Sequence, residues 1–477
     1  METLHQFING ELVDSPSGEW IEVENPYTGK IISRVPKGDE RDADAALQAA
    51  KAAQDAWAAQ TVSSRAVYLK KMAELIRSKR VQLATILAHE QAKIMPLAQV
   101  EIDFTADYFD YYAGWARIYE GEIINSDRPN EDMFLFRKPI GVVVGICPWN
   151  FPFFVMARKV APALLTGCTI VLKPSSLTPN TTLEFAKMVA KLDLPKGVVN
   201  FVTGSGSKLG DALVKHPLSD MVSLTGSVEA GQAIIRNSAD KVMKVSLELG
   251  GKAPAIIFPD ADMDIAIKGL VDSRVIFSGQ VCNCAERAYV HESIFDEFVD
   301  KFVKAMKKVT YGDPLADPAP NMSSQIDKNQ LQKISEMVDR AVAEGAKVLC
   351  GGKAADTETG YFYEPTVLVG AKQSSEIVQK EIFGPAIPIL PFKDYDEAIA
   401  LANDCEYGLT SSVFSTNINT CLKAIKDLKF GETYINREHF EGMQGFHAGW
   451  RKSGIGGADG KHGLMEYLAT QVAYIQF

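Results

Sequence analysis

A cysteine, a glutamate and an asparagine stand in this chain at places where each could serve carbonyl chemistry. Cys282 lies in Ser278-Gly279-Gln280-Val281-Cys282-Asn283-Cys284-Ala285, a Gly-containing turn after a helical stretch at 263–277. In such a loop a thiolate can be exposed and activated by nearby peptide dipoles; a lone cysteine equally reads as a small buried hydrophobe. Glu248 sits at the end of the apolar run 245–249, directly before Gly250-Gly251-Lys252. A carboxylate at a strand end faces the crevice where α/β proteins bind ligands, and partial burial would raise its pKa toward that of a general base; its plain alternative is a cap or a solvated charge. Asn150 is bracketed by two prolines in Cys147-Pro148-Trp149-Asn150-Phe151-Pro152. That stiff aromatic turn would hold its amide in one place, as an oxyanion donor or simply as the partner of its own turn.

These groups need a scaffold that brings distant stretches together. Residues 42–59, 64–93 and 100–120 carry apolar residues at three-to-four spacing and read as amphipathic helices, so the first third reads as helical. From residue 140 short β-branched runs alternate with helical stretches: strands at 142–144, 169–172, 198–202, 221–224 and 245–249, helices near 154–165, 181–191, 209–215 and 229–238. That rhythm predicts a parallel sheet with crossover helices, which binds nucleotides at the carboxyl ends of its strands. A second alternation, with strands near 255–258, 288–290, 366–369 and 387–390, predicts a second α/β domain, the junction at Gly250-Gly251 lying in the cleft. Residues 123–138 and 470–477 stand apart as strand-like pieces that could pair as an arm, an edge that commonly mediates oligomers.

With 477 residues, 46% hydrophobic and 23% charged, the chain has the composition of a globular enzyme of two large domains and a smaller appendage. A net charge of -10 argues against nucleic acid or an anionic membrane as partner. No leader-like or bilayer-length apolar run is present, so the cytoplasm is expected. The seven cysteines (147, 168, 282, 284, 350, 405, 421) are odd in number and dispersed, which fits reduced thiols. No paired Cys or Cys/His spacing suits a metal, and none is expected.

Six strings taken together carry a resemblance: Pro148-Trp149-Asn150-Phe151-Pro152, Lys173-Pro174-Ser175, Thr225-Gly226-Ser227, Glu248-Leu249-Gly250-Gly251-Lys252, Gly279-Gln280-Val281-Cys282 and Glu381-Ile382-Phe383-Gly384-Pro385. In this order and spacing, over essentially the whole chain, the sequence resembles the aldehyde dehydrogenase superfamily. The resemblance implies an α/β fold with a Rossmann-type cofactor domain (1–120 and 140–250), an α/β catalytic domain (251–458) and a small oligomerisation arm (121–139 and 459–477), in a homo-oligomer, dimer or tetramer. It implies that Cys282 attacks the aldehyde, that Asn150 and the Cys282 N–H hold the oxyanion, that Glu248 activates water against the resulting thioester, and that Lys252 supports proton transfer or the cleft electrostatics.

For the cofactor, Gly204-Ser205-Gly206-Ser207-Lys208-Leu209-Gly210 departs from the usual dinucleotide fingerprint, its third glycine one place late. The resemblance nevertheless implies Gly206 beside the adenosine, Ser227 at the pyrophosphate, Lys173 and Ser176 at the adenosine ribose, Glu381 at the nicotinamide ribose and Phe383 by the nicotinamide, with Cys147, Pro148, Trp149, Leu249 and Gly250 completing the groove. NAD is the expected cofactor, and NADP is open to it because Ser176 stands where NAD-preferring members often carry a carboxylate that repels a 2′-phosphate.

The strings 280–287, 432–438 and 444–450 are most similar to the branch acting on lactaldehyde and glycolaldehyde. This implies a small 2-hydroxyaldehyde held by Arg158, Asn283, Glu441 and His447, although Arg158 could merely pair with a carboxylate and His447 could be structural. The alternatives are a semialdehyde or betaine-type dehydrogenase, a CoA-acylating relative, a non-catalytic protein of the same fold, and a cysteine hydrolase, which would need a histidine beside Cys282.

Overall fold

The computed structural model describes residues 1–477. Its first large sheet has eight strands, in spatial order 454–455, 244–248, 221–225, 142–146, 169–173, 199–201, 6–8 and 11–13. The five central strands are parallel, and antiparallel pairs close both edges. They are short runs of buried Val, Ile and Leu, as expected of strands covered on both faces. The chain moves outward through Val142–Ile146, Thr169–Lys173 and Val199–Phe201, then returns to place Met221–Thr225 on the other side of Val142–Ile146. The order reverses between those two neighbours, and a crevice opens at their carboxyl ends.

The crossover helix Pro152–Thr166 is buried over its whole length. Its first turn is capped from another helix: Glu101 Oε1 accepts from the N–H groups of Phe153 and Phe154 at 3.0 and 3.1 Å. The second sheet has seven strands, ordered 347–350, 366–369, 386–392, 285–291, 253–257, 410–414 and 432–435, all parallel except the first. Each sheet carries a core on both faces. The expected pairing of the two outlying pieces is found: Leu468–Gln476 runs antiparallel along Glu131–Pro139, which pairs with Glu122–Asn125. This three-stranded sheet exposes Ile123, Tyr474 and Ile475.

Two expectations are corrected. The first third is not purely helical, because residues 2–36 form five short strands. Each is only two to seven residues long, and their exposed polar positions give little periodic signal. The single helix expected at 64–93 is two, Val62–Ser78 and Arg80–Gln91, broken where Lys79 leaves the helical region (φ -119°, ψ 19°) with no Gly or Pro to announce it. No helix is long and apolar enough to cross a membrane. No group of three or more His, Cys, Asp or Glu side chains is placed to hold a metal ion.

Candidate active site

Cys282 is reached through an irregular turn. After helix Met263–Val275 the backbone of Phe277, Ser278 and Gly279 takes three successive left-handed conformations (φ 44°, 56° and 76°). Such conformations cost on the order of 1–3 kcal/mol at each non-glycine residue and persist only where the surroundings impose them. Here the Ser278 hydroxyl donates to Ser323 O at 2.7 Å, the Arg274 guanidinium donates to Gly279 O, and the Gln280 amide oxygen accepts from Ile326 N at 2.9 Å. A Cβ on Gly279 would lie 2.2 Å from Gly384 O, so only glycine fits.

Glu248 ends strand Lys244–Glu248, and the chain then turns through two glycines toward this loop. A Cβ on Gly251 would come within 2.4 Å of Cys282 O. The absence of that atom lets the glutamate's strand and the cysteine's loop approach each other. Asn150 follows strand Val142–Ile146. Its carbonyl accepts from Lys93 Nζ at 2.7 Å and from Gln91 Nε2 at 2.9 Å, and its own Nδ2 donates to Gln280 O at 3.0 Å. That last bond uses one of the two amide protons and leaves the other free on the wall shared with Cys282, whose own N–H donates to no protein acceptor.

The lysine beneath this turn is fully buried, paired with Glu101 and set over the rings of Phe151 and Phe277 at 3.7 and 4.4 Å. Removing one partner of such a pair strands the other charge. Lys93→Met is therefore expected to destabilise the protein by about 3–5 kcal/mol, read as a lower midpoint of thermal unfolding.

Two hollows meet at Cys282. A groove of about 470 Å³ runs along the carboxyl ends of the first sheet, and a cavity of about 220 Å³ opens on the other side. Cys282, Asn150 and Thr225 line both. All eleven residues expected at a cofactor line the groove, and Glu248 lines it too. Arg158, Asn283 and Glu441 line the cavity.

The groove's chemistry fits a dinucleotide. Lys173 is 4% exposed, its amine donating only to the neighbouring Pro174 O at 3.3 Å, and burial pulls its pKa down to about 8. Ser227 caps helix Val228–Ser238 by accepting from Ala230 N, which sets the helix start on the groove wall. The Ser176 hydroxyl donates to Gly204 O at 2.9 Å. Glu381 is half-buried and accepts from Gly251 N at 2.9 Å, and desolvation pushes its pKa up to about 7. Phe383 stands edge-on to Trp149, with ring centroids 5.3 Å apart. Its loop is held by Glu286, which accepts from the N–H groups of Ile382 and Phe383, and by Gln330, which donates to Phe383 O at 2.7 Å.

Two candidates stand elsewhere than the motifs suggest. Lys252 lines neither hollow: it is fully buried and donates to Glu286 at 2.9 Å, in a cluster that also holds Arg274. Burial pulls its pKa down to about 8. His447 is 1% exposed and also lines neither hollow. It lies between Glu248 and Glu432, its ring nitrogens 3.4 and 2.9 Å from their oxygens.

Arg158 does pair with carboxylates while facing the cavity. It donates to both oxygens of Asp459 at 3.0 and 2.6 Å and to Glu441 Oε1 at 2.9 Å, and Glu248 lies 3.7 Å away. The other Glu441 oxygen accepts from Asn283 Nδ2. Asp459 in turn accepts from the Tyr108 hydroxyl at 2.7 Å.

Asp459, Glu432 and the groove-lining Gln330 and Lys333 carry no local signal of a site role in the sequence. Asp459 opens the expected arm segment 459–477, and nothing local ties it to an arginine 301 residues away. Gln330 and Lys333 lie on a surface helix whose visible signal is its apolar face.

Burial raises the pKa of the Cys282 thiol, the His447 ring opposes that rise, and Glu441 and Glu381 add to it. Burial likewise raises the pKa of Glu248, with His447 and Arg158 opposing. A nucleophile, a buried carboxylate and a fixed amide donor thus converge where a cofactor groove meets a small polar-floored cavity, an arrangement suited to oxidising a carbonyl by way of a covalent adduct.

Comparison with known proteins agrees. Residues 12–473 match the aldehyde dehydrogenase family. The lactaldehyde dehydrogenase of Escherichia coli strain K12 is 53% identical over 470 residues, 98% of either chain. The crystal structure of lactaldehyde dehydrogenase from Escherichia coli superposes with a TM-score of 0.98 at 52% identity, covering 100% of both chains. A structure of 3,6-anhydro-L-galactose dehydrogenase in complex with NAP gives 0.97 at 41%, covering 99% of this chain and 100% of the other. On this match over nearly its whole length, the chain belongs to the aldehyde dehydrogenase family.

Proposed function

We propose that this protein oxidises a small, uncharged hydroxyaldehyde such as lactaldehyde or glycolaldehyde to its acid, with NAD or NADP as acceptor. The observation that carries the substrate class is the floor of the cavity beside Cys282. There Arg158 and Asn283 both anchor on Glu441 and present a fixed polar surface, while Phe104, Phe151, Phe154 and Phe440 form the walls. A site built from such partners favours an aldehyde bearing a hydroxyl, because an apolar analogue leaves them unpaired. The 53% identical relative named for lactaldehyde supports the same class.

Once the Cys282 thiol has lost its proton to solvent, its sulfur adds to the carbonyl carbon, the C=O π pair moves onto the oxygen, and the charge there is held by Asn150 Nδ2 and the Cys282 N–H. Lys173, Ser176, Ser227 and Glu381 would hold a nicotinamide dinucleotide in the groove, which would supply the acceptor for the hydride that leaves the adduct's carbon, so that the C=O bond re-forms as a thioester on Cys282. Glu248 then takes a proton from water as that water's oxygen bonds the acyl carbon. The C–S bond breaks with its electron pair returning to Cys282.

A semialdehyde carrying a carboxylate fits less well. Arg158 is the one Lys or Arg lining the cavity, and Asp459 and Glu441 already neutralise it. We further propose a cytoplasmic homo-oligomer, dimer or tetramer, assembled through the sheet of 122–125, 131–139 and 468–476. We divide the chain into a cofactor domain (1–120 and 140–250), a catalytic domain (251–458) and this arm (121–139 and 459–477), with Asp459 reaching back from the arm's edge into the site.

The test is a panel of lactaldehyde, glycolaldehyde, propanal, betaine aldehyde and glutarate semialdehyde with either cofactor. Hydroxyaldehydes are expected to exceed propanal in kcat/KM by on the order of a hundredfold or more. Glu441→Ala is expected to cost about 1–3 kcal/mol of that preference, or roughly ten- to a hundredfold, with propanal turnover little changed. Equal kcat/KM for lactaldehyde and propanal in the unaltered enzyme would overturn the substrate class.

A further inference from the structure

Glu248 is 4% exposed, and neither of its carboxylate oxygens has a hydrogen-bond partner in the protein. A buried carboxylate without a protein hydrogen bond favours its neutral form, yet only the ionised form can accept a proton from water. Something must offset that burial. Lys159 is occupied by the hydroxyls of Ser223 and Thr225 at 3.0 and 3.1 Å. Arg158, 3.7 Å away, is already shared between Asp459 and Glu441.

His447 remains. One ring nitrogen lies 3.4 Å from Glu248 Oε2, and the other lies 2.9 Å from Oε1 of Glu432 at the start of strand Glu432–Ile435. The Tyr434 hydroxyl donates to the second Glu432 oxygen. The His447 backbone is pinned by reciprocal hydrogen bonds with Ala458 at 2.9 and 2.8 Å, so the ring is held in place from both ends. The ring lines neither hollow, but it reaches the base on one side and the Cys282 thiol on another.

We propose that Glu432 and His447 form a carboxylate–imidazolium pair that keeps Glu248 ionised for the hydrolytic step, Glu432 acting through His447 as a positioning residue. The proposal rests on the reading of Glu248 as the base. Burial alone would lower the His447 pKa, but Glu248 and Glu432, then Cys282, carry it well above the ordinary imidazole value. Glu441 and Asp459 are the further charges that sense the ring. Besides His447 and Arg158, Glu248 senses Asp459 and Lys159. Without Glu432 the ring loses a proton more readily, Glu248 then faces a neutral neighbour, and a higher pH is needed to ionise it.

The test follows acyl-enzyme hydrolysis after the burst of reduced dinucleotide, as a function of pH. Glu432→Gln is expected to move the acid limb of the hydrolysis rate upward by about one pH unit, roughly tenfold slower below the limb, with KM for the aldehyde unchanged. Glu432→Asp recovers part of the shift, because the carboxylate is retained. His447→Gln moves the limb at least as far, and the double variant goes no further than His447→Gln alone, since Glu432 works through the ring.

An unmoved limb in Glu432→Gln, or a shift that persists in the His447→Gln background, overturns the pair. Glu248→Gln separates this from failure of the underlying reading. If it hydrolyses the acyl-enzyme at the unaltered rate, Glu248 is not the base. If hydrolysis is blocked there while Glu432→Gln leaves the limb in place, only the pair is wrong.

Discussion

Cys282→Ala is expected to abolish aldehyde oxidation, lowering kcat by on the order of a thousandfold or more, while dinucleotide binding survives. The sulfur is the atom to which the substrate becomes bonded, so no neighbour can substitute for it. Cys284, two residues on, is buried with its pKa raised to about 12, and Cys147 is buried in the groove wall with its pKa likewise raised to about 12. Burial favours the neutral thiol at both positions, which makes them poor nucleophiles at neutral pH.

Selectivity and pH dependence follow from the same contrast. The Cys282 thiol is also raised by burial, but it alone has His447 opposing the rise. A group whose pKa is raised gains its anion as pH climbs, so alkylation of Cys282 by a neutral haloacetamide should accelerate with pH from the neutral into the alkaline range. Alkylation and turnover should be lost together. An alanine variant that still reduces NAD or NADP with aldehyde at the original rate would remove the covalent step from the mechanism.

The structure also shows which parts of this arrangement the sequence could carry. The parallel strands were legible because strands covered on both faces must be unbroken apolar runs, and Val142–Ile146 and Thr169–Lys173 are almost nothing else. The cofactor groove was legible because its wall is made of short motifs at strand ends, where a strand, a turn and a helix start adjoin in the chain itself. Lys173-Pro174-Ser175-Ser176 and Thr225-Gly226-Ser227 belong to this kind.

The electrostatic layer behind Cys282 was not legible in this way. Arg158, Glu248, Glu432, Glu441, His447 and Asp459 come from four separated regions, and each reads locally as an ordinary charge on a helix, strand or loop. Only the packing of the two sheets brings His447 against Glu248. The same holds for Lys252, whose place in a conspicuous motif suggested the cleft but whose amine points to buried Glu286. The turn at 277–279 was half legible: Gly279 marks a place where the backbone is unusual, but Phe277 and Ser278 are not residues that announce a left-handed conformation.

Asn150→Ala should lower kcat by about a hundredfold to a thousandfold, with KM for the aldehyde little altered. The argument is one of timing. The amide meets a neutral carbonyl oxygen in the bound substrate and a charged one once sulfur has added, so most of its effect is felt in the adduct and its transition states. Preorganisation makes the effect large. The Asn150 backbone is fixed by Lys93 and Gln91, the side chain is turned by its bond to Gln280 O, and the group is 7% exposed, so little reorientation is needed as charge develops.

Hydrolysis of the thioester passes through a second charged oxygen at the same place, so both halves of the reaction should slow together. That separates Asn150 from Glu248, whose replacement by glutamine should slow only the second half and leave the burst of reduced dinucleotide in place. Asn150→Asp should be no better than alanine, because a carboxylate has no proton to donate and repels the developing charge. Folding is controlled by the unfolding midpoint, since the turn is held mainly through the Asn150 carbonyl, which every substitution retains. A variant with the normal midpoint and normal kcat would show that the Cys282 N–H suffices, and the oxyanion role of the side chain would have to be given up.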